Sequence, residues 1–244
     1  MKNWKLVFED DFNAPTLNEE VWHKDTGFIR NREPQYYTKE DRNCFIEDGC
    51  LVIQTLREEY KGAHYTSAEI TTEFSHAWTY GRFEMRAKLP RSRAVWPAFW
   101  TLGANIHEVN WPLCGEIDIM EKLGGTELRE RQTIATLHWL SAETGEHKES
   151  GGTSNGTYAY ERELSEDFHI YAVEWTKERF VWYFDDTVIY QCDITPDMQG
   201  SFDKPHFILL NTALENWNED CCPNEDTDLP QRYVIDYVRV YQEA

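Results

Sequence analysis

Three acids punctuate the apolar run Gly115-Glu116-Ile117-Asp118-Ile119-Met120-Glu121. Its isoleucines and opening glycine favour a strand over a helix. Side chains on a strand repeat every two residues, so Glu116 and Asp118 share a face while Glu121 would point to the other. A bulge at Ile119-Met120 adds one residue and returns Glu121 to the face of its partners. Acids crowded in this way repel one another, so at least one should keep its proton above the ordinary carboxyl range. Such a pair suits proton transfer and nucleophilic attack at a glycosidic carbon. A separation of about 5 to 5.5 Å gives retention of configuration and about 6.5 to 9.5 Å gives inversion. The same residues could instead be a solvated face of an edge strand, or oxygen ligands for Mg²⁺ or Ca²⁺.

The surroundings favour carbohydrate chemistry. Trp96-Pro97-Ala98-Phe99-Trp100 lies just upstream and Trp111 stands beside the cluster. Indole faces suit the C–H faces of pyranose rings, although any one tryptophan can equally be core. The chain has 10 Trp, 13 Tyr and 12 Phe, a surplus of rings that ligand faces would absorb. Its formal charge is −20, which disfavours nucleic acid and anionic membrane surfaces, because both require clustered Lys and Arg.

The elements that must position these residues read as strands. In Tyr80–Pro90, Phe83, Met85, Ala87 and Leu89 alternate with Arg82, Glu84, Arg86 and Lys88, the period of a half-buried strand. Further strands are expected at 45–56 with a turn at Glu47-Asp48-Gly49, at 133–139, at 169–175, at 180–190 with a hairpin at Asp185-Asp186, and at 233–241 with Val234, Val238 and Val240 on one face. Helix is confined to single turns near Glu178 or at 165–168. Segments 142–156 and 215–231 read as long loops. Many strands without alternating helices imply an all-β sandwich, and no composition shift divides the 244 residues into more than one domain.

Six cysteines, Cys44, Cys50, Cys114, Cys192, Cys221 and Cys222, have no metal-ligand spacing, and most are expected to be reduced. The N-terminal residues lack an apolar signal core. Export is therefore expected only if a signal was trimmed, to the exterior or the periplasm, and a cytoplasmic location otherwise.

The run at 115–121 resembles the bulged E-x-D-x-x-E signature of glycoside hydrolase family 16, a family of retaining endo-glycanases with a β-jelly-roll fold. Supporting stretches are residues 96–100, Tyr80-Gly81-Arg82-Phe83-Glu84, Gln35-Tyr36-Tyr37-Thr38, Tyr65-Thr66-Ser67-Ala68 and Ile235-Asp236-Tyr237-Val238-Arg239-Val240-Tyr241. The resemblance implies two antiparallel sheets with an open cleft on the concave face. It further implies Glu116 as nucleophile, Glu121 as acid and then base, Asp118 as their partner, and His138 near the nucleophile. Asn31, Arg32 and Glu33 match a polar loop on the glycone side of the cleft, and Trp96, Trp100, Trp111 and Trp217 are its candidate sugar contacts. Glu9, Gly49 and Asp236 fall at the positions of a structural Ca²⁺. No cofactor for catalysis is implied, and a monomer acting on an oligo- or polysaccharide is expected.

The bulge resembles the laminarinase-like branch, which points to β-1,3-glucan. Two departures keep an endo-β-galactosidase acting on poly-N-acetyllactosamine, mucin or keratan chains as a rival. Asn211-Thr212-Ala213-Leu214-Glu215-Asn216-Trp217 replaces a Gly-Gly pair, and Phe28-Ile29-Arg30-Asn31-Arg32-Glu33 replaces an Asn-Asn-Glu lead-in. From other classes, a non-catalytic lectin and a hydrolase using the acids as metal ligands are the alternatives. A pure binder gains nothing from paired buried acids, and the chain has no His-rich ligand pattern.

Overall fold

The computed structural model describes residues 3–217 and 221–244. Two sheets pack face to face. In the larger sheet the strands run, in spatial order, Thr187–Asp193, Arg179–Phe184, His169–Trp175, Gly81–Lys88, Gln231–Glu243, Cys50–Tyr60, Ala63–Ser67 and Gln35–Tyr37. Trp4–Asp10 and Cys44–Glu47 add to it from the side. The second sheet runs His147–Gly151, Gln132–Leu140, Glu116–Glu121, Val95–Gly103, His206–Leu214, Glu69–Thr71 and His23–Lys24. Pairing is antiparallel except between Gln35–Tyr37 and Ala63–Ser67, which run parallel, a departure from the all-antiparallel expectation. Among the described residues no helix is long and apolar enough to cross a membrane.

Strand period decides what lies on each side. Phe99, Ile117, Leu137, Ile208 and Leu210 point inward and join Phe83, Met85, Val173 and Trp182 of the larger sheet in one core. Ala98, Trp100, Leu102, Phe207 and Leu209 alternate with them and form a separate apolar floor on the outer face of the second sheet. Strands apolar on both faces are strands covered on both sides, so this outer face carries a structure of its own.

The expected strands are present, with three differences. Val234 does not share a face with Val238 and Val240, because the register slips between Ile235 and Tyr237 and the buried positions become Tyr233, Ile235, Val238 and Val240. Segment 142–156 is not a plain loop: His147–Gly151 pairs with Gln132–Leu140, and Gly152–Asn155 makes a helical turn. It is a polar edge strand, which leaves no apolar alternation to read. Single helical turns occur at Ile106–Val109, Arg129–Arg131 and Pro196–Met198, whereas 165–168 and the vicinity of Glu178 are non-helical turns. All six cysteines are free thiols.

Candidate active site

Gly115 opens the strand that carries the acids. Its φ is +82°, and a Cβ there would lie 2.1 Å from the Ser201 carbonyl oxygen, so only glycine fits. Glu116 pairs with Leu102 and His138, and Asp118 with Trp100 and Thr136. Beyond Asp118 the register slips on both sides, toward Ile134 on one neighbour and Phe99 on the other. Ile119 and Met120 are consequently both buried in the core, and Glu121 emerges on the outer face with Glu116 and Asp118. The Asp118 carbonyl, at the break in the ladder, accepts the indole N–H of Trp182 from the opposite sheet at 3.0 Å. The core thus fixes the bulge from beneath.

Each glutamate is held by its own tryptophan. The Trp111 indole N–H donates to Glu116 Oε2 at 2.7 Å, and that of Trp96 donates to Glu121 Oε1 at 2.9 Å. The Thr136 hydroxyl adds a longer contact to Glu121 Oε2, 3.3 Å. His138 Nε2 stands 3.5 Å from Asp118 Oδ2 and 3.9 Å from Glu116 Oε1. Burial is the chief cause raising all three carboxyls. Glu116 is pushed up to about 8 by burial and then by Asp118, against the pull of His138 and Trp111. Asp118 is raised well above the usual range by burial and the Glu121 charge, and Glu121 is raised by burial against the Trp96 bond. Asp118, 4% exposed and without an indole donor of its own, is the natural keeper of a shared proton.

The acids line a cavity of about 470 Å³, together with Arg30, Asn31, Glu33, Trp96, Trp100, Trp111, His138, His147 and Asn211 over the apolar floor. Of the residues expected at the site, Asn31, Glu33, Trp96, Trp100, Trp111 and His138 meet the acids there. Arg32 instead borders an adjoining groove with Phe28 and Tyr65. Trp217 is half exposed at the rim and packs edge-on against Trp96, with ring centroids 4.6 Å apart. Trp100 is a wall rather than an open platform: it is 6% exposed, the Arg30 guanidinium covers its ring at 4.8 Å, and its indole N–H donates to Asn211. Glu33 is buried and accepts from Gln35 at 2.7 Å and Asn31 at 3.2 Å.

Sequence reasoning missed Arg30, Asn211 and His147. Arg30 makes a two-pronged ion pair with the fully buried Glu69. Asn211 had a legible signal, a lone amide continuing the outward series Phe207, Leu209 after the apolar run 207–210. His147 had none, because its edge strand carries no pattern.

The residues expected to hold calcium do not form a carboxylate cage. Glu9 accepts from Arg239 at 2.7 Å and Asp236 from Arg86 at 2.6 Å, while Gly49 offers only its carbonyl. Within the cleft, Glu116, Asp118 and His138 do offer ligand atoms within 4.8 Å of one another. The N–H donors aimed at Glu116 and Glu121, however, satisfy those carboxylates as anions and acids and compete with a cation.

A two-sheet sandwich whose outer face carries paired, tryptophan-held carboxyls in an open, apolar-floored cleft defines a carbohydrate-cleaving hydrolase. The match to the family described as "Glycosyl hydrolases family 16" spans residues 31–239, and the chain belongs to that family of retaining O-glycosyl hydrolases. It is 35% identical to the beta-glucanase of Rhodothermus marinus over 98% of this chain and 86% of that protein. The chain spans only 34% and 38% of two longer curated relatives. The laminarinase catalytic domain of Thermotoga maritima superposes with a TM-score of 0.85 at 36% identity, covering all of both chains. A structure concerning endo-acting O-glycanases that human gut microbiota express to initiate mucin breakdown reaches 0.86 at 31% identity, covering 98% of this chain and 91% of that one.

Proposed function

We propose that the protein hydrolyses internal β-1,3 linkages of a glucan by double displacement. Glu116, oriented by Trp111, attacks the anomeric carbon as the carboxylate, its proton having passed to Asp118. Glu121, oriented by Trp96, protonates the departing oxygen and then, as a base, activates the water that releases the sugar from Glu116. Asp118 holds a proton beside Glu116 and Glu121 and hands it back as their charges alternate, which is the use of a carboxyl whose burial opposes ionisation. The observation that carries the reading is the bulge, which brings all three acids to one face above an apolar floor. The glucanase relatives support glucan as the polymer.

The test is turnover of laminarin by Glu116→Ala, expected to be abolished, with azide restoring cleavage of an activated glycoside as a glycosyl azide. Undiminished hydrolysis by Glu116→Ala overturns the assignment. One observation favours a second reading: Arg30 covers Trp100 and Arg32 borders the adjoining groove, so the loop at 28–33 brings charge and donors to the cleft wall. That suits a glycan richer in polar substituents, such as poly-N-acetyllactosamine or mucin chains cleaved at galactose. Incubation with laminarin, mixed-linkage glucan, agarose, keratan and porcine mucin separates the two by product mass. Hexose-only ladders from laminarin support glucan, and alternating hexose and N-acetylhexosamine supports the rival.

A further inference from the structure

His138 presents its two ring nitrogens to different neighbours. Nε2 faces the acids, whereas Nδ1 lies 3.0 Å from Nε2 of His147 and 3.8 Å from a carboxylate oxygen of Glu149. Strand register forces the meeting. His138 sits opposite Glu149, and His147 opposite Leu140, so His147 and Glu149 share the face of His138 one diagonal step apart. The three ligand atoms lie within 4.8 Å of one another, and His147 and Glu149 are exposed to solvent. Two imidazole nitrogens in direct contact share one proton between them, while the nearby carboxylate is placed to accept positive charge.

We propose that His138 Nδ1, His147 Nε2 and the Glu149 carboxylate bind a divalent transition-metal ion at the rim of the cleft. With metal–nitrogen bonds of about 2.0 to 2.1 Å, nitrogens 3.0 Å apart subtend an angle of roughly 90 to 95° at the ion. That is the cis angle of square or octahedral coordination, and opening the pair to about 3.3 Å gives a tetrahedral site. Two imidazoles and one carboxylate suit zinc, nickel or copper rather than calcium, and solvent completes the shell. The net charge of −20 raises the local concentration of cations around such a site.

Binding at Nδ1 would fix His138 as the tautomer whose Nε2–H points at Asp118 and Glu116, a carboxylate–histidine–metal arrangement. The ion would also stand beside Trp111, whose ring centroid is 4.7 Å from that of His147. Sugar and metal would then compete for one end of the cleft, so the ion is an inhibitor. That consequence rests on the hydrolase reading, but binding itself does not, and binding is what the experiment reads.

The metal-free protein is titrated with zinc and with copper by calorimetry, and the copper form is examined by electron paramagnetic resonance. One equivalent is expected to bind, with two-nitrogen hyperfine structure and quenching of tryptophan fluorescence, and copper is held more tightly than zinc or nickel. His147→Ala should lose one nitrogen coupling, and both it and Glu149→Gln should weaken binding about tenfold or more. Both positions are exposed, so unchanged circular dichroism and melting are expected to accompany the loss. The proposal is overturned by an absence of saturable binding, or by His147→Ala and Glu149→Gln binding like the parent. It is equally overturned if Glu116→Gln abolishes binding while His147→Ala leaves it intact, which moves the ion to the catalytic acids.

Discussion

Glu116 carries a cost that denaturation reads without any substrate. Burial, then the neighbouring Asp118, raises its carboxyl from 4.5 to about 8. Across that interval the folded protein keeps a proton that the unfolded chain has released. Stability falls with rising pH wherever the native state binds more protons, so this contribution is fully present below 4.5 and is lost as pH rises through about 8. At about 1.4 kcal/mol per pH unit the whole interval amounts to on the order of 5 kcal/mol, of which about 4 falls between pH 5 and pH 8. Glu116→Gln keeps the shape and an acceptor for the Trp111 indole, but it cannot ionise. Paired guanidinium and thermal denaturation from about pH 5 to pH 8 should show the parent losing on the order of 4 kcal/mol more than the variant. That is about 10 °C of melting temperature for a domain of this size. Titrations outside the cleft are common to both proteins and cancel, so the difference reads Glu116 together with Asp118 and Glu121, whose carboxyls shift with it. Parallel stability curves would refute the claim that burial and Asp118 raise the Glu116 carboxyl.

Glu121→Ala should slow hydrolysis of natural glycans by about 10² to 10⁴ while sparing aryl glycosides with good leaving groups, since only the former need protonation; equal losses on both contradict its role as acid. Asn216 donates to the carbonyls of Asn31 at 3.0 Å and Arg32 at 2.7 Å, two residues held at φ 54° and 52°. Losing both bonds in Asn216→Ala costs about 1 to 2 kcal/mol of loop order and should raise KM roughly five- to thirtyfold with kcat nearly unchanged; a fall in kcat at constant KM argues against it. Lys122, fully buried with its Nζ 2.5 Å from Glu130, should cost about 3 to 5 kcal/mol as Lys122→Met, measured by chemical denaturation. Adding Glu130→Gln should recover most of that loss, because it removes the charge left behind; a double variant no better than the single one denies the pairing.

The sequence was legible where a pattern had a physical cause that acts locally. The alternation at 81–88 and the spacing of Glu116, Asp118 and Glu121 follow from the two-residue period of a strand, and the slip at Ile119-Met120 is the simplest way to reconcile the third acid with the other two. Legibility failed where partners come from far along the chain. Trp182, 64 residues beyond Asp118, ties the bulge to the core, and nothing near 118 announces it. Arg30 reaches the cleft because Glu69 pairs with it, a contact across 39 residues. Even spacing puts Val234 and Val238 on one face, and an unannounced bulge between Ile235 and Tyr237 reverses that expectation.

The same long-range contacts account for the cleft's asymmetry. On the side of the acids, Trp96 and Trp111 use their N–H groups on Glu121 and Glu116, so each ring is oriented by the residue whose chemistry it serves. Beside them on the same sheet face, Trp100 donates to Asn211, Asn211 donates to the Tyr37 hydroxyl at 2.9 Å, and Arg30 covers the indole while anchored to Glu69. That wall is a closed network of buried polar groups, and such networks are costly to break partially. The cleft is thus lined by polar groups of Arg30 and Asn31 and by the rings of Trp96 and Trp111, with Trp217 exposed beside it. The segment 28–33, where the sequence departs from the laminarinase-like pattern, supplies Arg30, Asn31 and Glu33 to this wall, so the departure and the cleft lining coincide.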